Sequence, residues 1–138
     1  MPTVKKLQEI IEQSIIGEPF YNEKGELMAY YDGDEDFPYG ITFRFNISGN
    51  ILYIMAEADD FKIPSKKSDS CFSLVNFLNR TTPIIKVSFV KAREFLFESK
   101  LFSELLITEN VNNDYISDFI NYTIENVFSI YEKIYNKI

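Results

Sequence analysis

Residues 41–58 read ITFRFNISGNILYIMAEA. Ile41, Phe43, Phe45 and Ile47 share one side of this stretch, and Thr42, Arg44, Asn46 and Ser48 share the other. Successive side chains of a strand point to opposite faces, so this alternation predicts a strand with one face buried. Ser48-Gly49-Asn50 reads as a hairpin turn. The returning segment, ILYIMAEA, is apolar on both sides at first. A strand covered on both faces, or one lying near a second subunit, has that pattern.

On the N-terminal side of this hairpin, ELMAYY (26–31) predicts another strand, introduced by the turn signal Asn22-Glu23-Lys24-Gly25. DGDEDFPYG (32–40) is a polar, acidic loop punctuated by Gly and Pro. Residues 3–16 predict a helix. Thr3 is placed to cap it, Gly17 to end it, and Pro19 forbids continuation. Val4, Leu7, Ile11 and Ile15 fall at helical spacing, and Ile10 and Ile16 widen the stripe.

On the C-terminal side, DDFKIPSKK (59–67) is a polar connection. Ser68 or Asp69 is expected to cap a helix over roughly 70–80, which Thr81, Thr82 and Pro83 end. Ile85, Val87 and Phe89 alternate with Lys86 and Ser88. After a turn near Lys91–Arg93 the alternation resumes at Phe95 and Phe97 and runs on through Leu101, giving a second hairpin. Asn112 or Asn113 caps a last helix over roughly 114–136, with Ile116, Ile120, Val127, Tyr131 and Ile134 as its stripe.

The order is helix, three strands, helix, two strands, helix. Hairpin connections make the sheet largely antiparallel, so the fold class is α+β, a five-stranded sheet packed by helices. At 138 residues, with no repeat and no linker, the chain is expected to be a single domain over 1–138. That length supports a core without disulfides or metals.

Composition narrows the chemistry. The chain has no His, no Trp and one Cys. It therefore has no Ser-His-Asp triad, no Cys-His dyad and no His-ligated metal, and Cys71 has no intrachain disulfide partner. Cys71 is expected to be a buried structural thiol. Net charge is −7, which argues against nucleic acid or an anionic membrane as the main partner. The N-terminus lacks the apolar run and cleavage site of a signal peptide, and no window has 18 apolar residues, so the expected location is the cytoplasm.

The motifs that remain are weak. Asp32, Asp34, Glu35 and Asp36 begin like a calcium loop, but Phe37 stands where Gly is needed and Phe43 where Glu is needed. Glu57, Asp59 and Asp60 are read as a charged strand end. Lys66-Lys67 and Lys91-x-Arg93 are small basic spots on an acidic chain. No phosphate loop, dinucleotide fingerprint or nucleophile elbow occurs. The expectation is no enzyme, no cofactor and no metal.

The strand pair 41–58, the passage SLVNFLNRTTPIIKVSF with its Leu78-Asn79 step, and the long last helix resemble the YbjN family, named as bacterial sensory transduction regulators. The order of elements resembles the type III secretion chaperone-like fold. That resemblance implies a homodimer and a non-enzymatic role, binding polypeptide segments or acting in regulation.

Two features point independently to a partner surface. In the second helix Cys71, Leu74, Val75 and Leu78 form one stripe, which Phe72 and Phe77 widen to roughly 220° at 100° per residue. A helix lying on a sheet needs much less. Tyr30, Tyr31, Phe37 and Tyr39 bracket the acidic loop, and not all are expected inside. The expected interface residues are thus Tyr30, Tyr31, Phe37, Tyr39, Phe72 and Phe77. The partner expected is a protein or peptide client of a homodimer. The alternatives are a small apolar ligand, or a basic toxin held by an immunity-type inhibitor.

Overall fold

The computed structural model describes residues 4–14, 19–82, 84–93 and 95–137. The proposed cap Thr3 and the stop at Gly17 lie outside them. Helix α1 (Val4–Ser14) is followed by strands β1 (Phe20–Tyr21), β2 (Leu27–Tyr31), β3 (Ile41–Ser48), β4 (Ile51–Ala58) and β5 (Ile63–Pro64). A 3-10 turn (Ser65–Lys67) leads into α2 (Ser68–Thr81); then come β6 (Lys86–Arg93), β7 (Leu96–Leu106) and α3 (Asn113–Lys137).

The five strands expected from alternation are the five long ones. They form one antiparallel sheet in the order β2-β3-β4-β7-β6. The two-residue β1 extends it beside β2, and β5 pairs with the start of β7. The founding hairpin closes with Ser48 opposite Ile51. Gly49, at φ 59°, takes the first turn position, where a left-handed backbone favours glycine.

Ile41, Phe43 and Phe45 of β3 and Leu52, Ile54, Ala56 and Ala58 of β4 point into one core. Val87 and Leu101 continue that face across β6 and β7. Leu7, Ile10 and Ile11 of α1 and Cys71, Val75 and Leu78 of α2 close over it. The predicted stripe of α3 is buried, joined by Phe119, Thr123, Ile124 and Ile130. Asn112 is the residue that caps α3, its Oδ1 accepting the Tyr115 N–H at 2.8 Å.

The start of α2 differs from expectation. Lys67 is its N-cap and makes no side-chain cap bond, while Asp69 lies inside the first turn. The preceding 3-10 turn already winds the chain in helical sense, so the helix begins without a capping hydroxyl or carboxylate. At the other end the Thr82 N–H bonds the Leu78 carbonyl at 2.8 Å and the chain turns extended.

Candidate functional site

All three helices lie on the core side of the sheet. Its other face carries the outward-pointing residues of the same strands. One row crosses it in register: Met28 of β2, Arg44 of β3, Met55 of β4, Phe102 of β7 and Lys86 of β6. The next row pairs Asn46 with Tyr53 and Tyr53 with Glu104. Tyr53 and Phe102 are each 38% exposed, and Ile84, just before β6, is 45% exposed. A groove of about 700 Å³ runs along this face, lined by Tyr53, Met55, Phe102 and Ile84 with Arg44, Lys86, Glu26 and Glu104 interspersed. Lys100 and Glu57, opposite each other in register, pair at 3.6 Å. Among the described residues nothing covers this face.

The six residues singled out from sequence do not come together. Tyr30 is register-paired with Thr42 and so belongs to the open face, where it is 49% exposed. Its ring lies so close to Gly40 that a Cβ there would strike it. Tyr31, turned to the opposite face by the pleat, packs edge-on against Phe43 and Phe128.

Phe37 departs from expectation: it is buried in the chain's own core, at 4% exposure, and presents almost no surface to a partner. Its ring stacks on Tyr131 at 5.2 Å and meets Phe61 edge-on at 5.1 Å. The cause is Asp34, whose Oδ1 accepts the Asp36 and Phe37 N–H groups at 2.9 Å each and turns the chain inward. Tyr39 packs on the same aromatic group, against Phe61 and Tyr135. Phe72 and Phe77 sit on opposite flanks of the α2 stripe. Phe72 leans on Phe89 and Phe97 yet stays 40% exposed, and Phe77 stands out at 52%.

The residues of the open face that were not singled out are Tyr53, Met55, Ile84 and Phe102. The signal for the first two was present, in the two-sided apolar pattern of β4. Phe102 was missed because β7 runs to Leu106, beyond the alternation read up to Leu101.

Titratable groups follow their surroundings. Burial pushes the Cys71 thiol up, away from the reactive thiolate, with partial relief from the charges of Lys137 and Lys67. Glu98 is held below its usual range by the bond from Lys62 at 2.7 Å. Burial raises Tyr131, whose hydroxyl lies 3.3 Å from the Ala56 and Ser99 carbonyls where β4 and β7 diverge. The Asp34 carboxylate serves the backbone of its own loop. Among the described residues no group of His, Cys, Asp or Glu is arranged to hold a metal. No helix among them is long and apolar enough to cross a membrane.

The architecture is thus an α+β sheet with helices on one face and an open, partly apolar second face. The fold is similar to that of YbjN from E. coli, provisionally assigned as a transcription regulator. The match has a TM-score of 0.70 at 14% identity and covers 96% of this chain and 90% of YbjN. The likeness shows the fold. No protein-family model matches the sequence, and no curated protein matches it.

Proposed function

We propose that this chain is a non-enzymatic protein-binding module of the YbjN kind, regulatory or chaperone-like, that works as a homodimer joined through the open face of its sheet. The observation that carries this reading is the row Arg44–Met55–Phe102–Lys86 with Tyr53 and Ile84 beside it. Apolar side chains at the centre with charges between them are the composition of an interface core and rim.

Charge supports a second copy as the occupant. The chain carries −7 overall, yet the groove is lined by two acids, Glu26 and Glu104, and two bases, Arg44 and Lys86. Two acidic copies repel least where each presents a neutral patch. A twofold contact sets one patch against itself, so a patch bearing both signs can satisfy its own charges.

The groove volume supports a second reading, a small apolar ligand, since about 700 Å³ lies in the range of ligand sites. A native mass spectrum of the purified protein separates the two. A species near twice 16.2 kDa without adduct supports the dimer. A monomer retaining a small molecule supports the ligand site and removes the dimer.

A further inference from the structure

Strand β6 is an edge of the sheet, paired on one side with β7. Its outer edge is closed at one point. Asn79 of α2 donates its amide to the Val87 carbonyl at 2.9 Å and accepts the Val87 N–H at 2.7 Å. Peptide groups of an antiparallel strand face alternate sides, so those of Phe89 and Lys91 face the same outer edge as Val87. Among the described residues no backbone group meets them there.

The ends of β6 are unusual. The two non-glycine residues described at positive φ are Ile84, at 76°, and Phe95, at 68°. One precedes β6 and the other follows it. Both are large, apolar and exposed, Phe95 at 69%. A left-handed backbone is unfavourable for such side chains, and strain of this kind gathers at recognition sites.

The Phe95 end is also where the basic spots meet. The Phe95 carbonyl accepts the Ser65 N–H at 2.9 Å, and Leu96 is paired with Pro64 on one side and Arg93 on the other. This brings Lys66 and Lys67 towards the end of β6, which carries Lys91 and Arg93. All four are exposed, and none has an ion-pair partner among the described residues. In the sequence Glu94 lies between Arg93 and Phe95; among the described residues the acids nearby are Glu98, which Lys62 neutralises at 2.7 Å, and Asp69 in the first turn of α2. Phe72, over Phe89 and Phe97, adds an exposed aromatic surface.

We infer that the free edge of β6 receives an extended acidic segment of a partner protein, its backbone pairing with Phe89 and Lys91, its carboxylates meeting Lys91, Arg93, Lys66 and Lys67, and its apolar residues meeting Phe72 and Phe95. This names the client of the protein-binding reading above and rests on it. Strand addition gives affinity through main-chain bonds and specificity through alternate side chains. The charge runs against the whole-molecule trend, since net −7 alone favours basic partners. A peptide fits better than a nucleic acid, because this cluster of four bases occupies one end of an acidic molecule and the free edge bonds to backbone.

The test is titration of the full chain with a synthetic peptide alternating Glu with Val and Phe. The same peptide with Lys for Glu and a single-stranded RNA oligonucleotide are controls. The expected result is saturable binding of the acidic peptide alone, weakened by salt and by about tenfold or more in the Lys91→Glu, Arg93→Glu variant. The Phe89 and Lys91 amides should gain protection from hydrogen exchange, while Val87 changes little. Equal binding of both peptides, binding of the RNA instead, no binding, or indifference to charge reversal each overturns the inference. The oligomeric state of the same sample separates the failures: a dimer that ignores the peptide loses only the edge site. Both substituted positions are exposed, and an unchanged circular dichroism melt confirms folding.

Discussion

The side-chain amide of Asn79 lies flat against the edge of β6 and exchanges both of its hydrogen bonds with the Val87 peptide groups, at 2.7 and 2.9 Å. A carboxamide has the donor and acceptor of a peptide bond, so Asn79 stands in for one residue of a neighbouring strand. An unprotected sheet edge invites pairing with other chains. Leu78 beside it is buried and pins the end of α2 to the core. The Leu78-Asn79 step thus has a physical reason: one residue anchors the helix and the next ties it to the strand. Asn79→Ala is expected to cost about 1–3 kcal/mol by leaving the Val87 groups unpaired. Urea unfolding measures the loss, and faster amide exchange at Val87 locates it.

The aromatic residues expected at an interface divide into core and surface. Phe37 contacts Phe61, Tyr131 and Tyr135, whereas Phe77 is half exposed. Phe37→Ala is therefore expected to destabilise by about 3–5 kcal/mol. Phe77→Ala should stay within about 0.5 kcal/mol. Comparable losses from the two in urea denaturation would contradict the assignment.

Gly33 holds the same loop closed. A Cβ at this position would fall 2.5 Å from the Pro38 carbonyl oxygen and 2.7 Å from the Tyr39 nitrogen, and backbone cannot swing aside as a side chain can. Gly33→Ala is expected to destabilise by about 1–3 kcal/mol and to loosen the seat of Phe37. Near-ultraviolet circular dichroism reports the loosened aromatic group.

Tyr131 predicts an alkaline limit to stability. Burial raises its ionisation above the ordinary 10.0, so the folded chain keeps this proton where the unfolded chain has released it. The stabilisation is complete below about pH 10 and falls as pH rises further, because the unfolded state then binds fewer protons. Tyr131→Phe should lose about 0.5–1.5 kcal/mol at neutral pH and show a shallower alkaline decline. Unfolding curves at pH 8 to 11 compare the two slopes.

Much of the fold is legible in the residues themselves. Ile41 to Ile47 alternate cleanly because one side of β3 faces the helices, and Gly49 marks the turn. The stripe of α3 is legible because a long helix samples its period many times. The two-residue β1 and β5 are too short to show any period. Lys67 is invisible as a cap because the 3-10 turn does that work. The open face was legible in Tyr30 beside the acidic loop and in Tyr53 and Met55, since outward-pointing apolar residues on β4 break the expected alternation. Ile84 and Phe102 needed the tertiary structure, which pairs Phe102 with Met55 of β4 and brings Ile84, before β6, to the same groove. Phe37 looked like a surface aromatic because its loop is acidic; the turn made by Asp34 reverses that.

Equilibrium sedimentation of the chain and of its Phe102→Glu variant tests the central claim most directly. Phe102 is exposed on the open face, so the substitution leaves the core intact while placing a charge at the centre of the proposed contact. The account predicts a species of twice 16.2 kDa for the wild type and a folded monomer for the variant. A monomeric wild type, or a variant that stays dimeric, would contradict it.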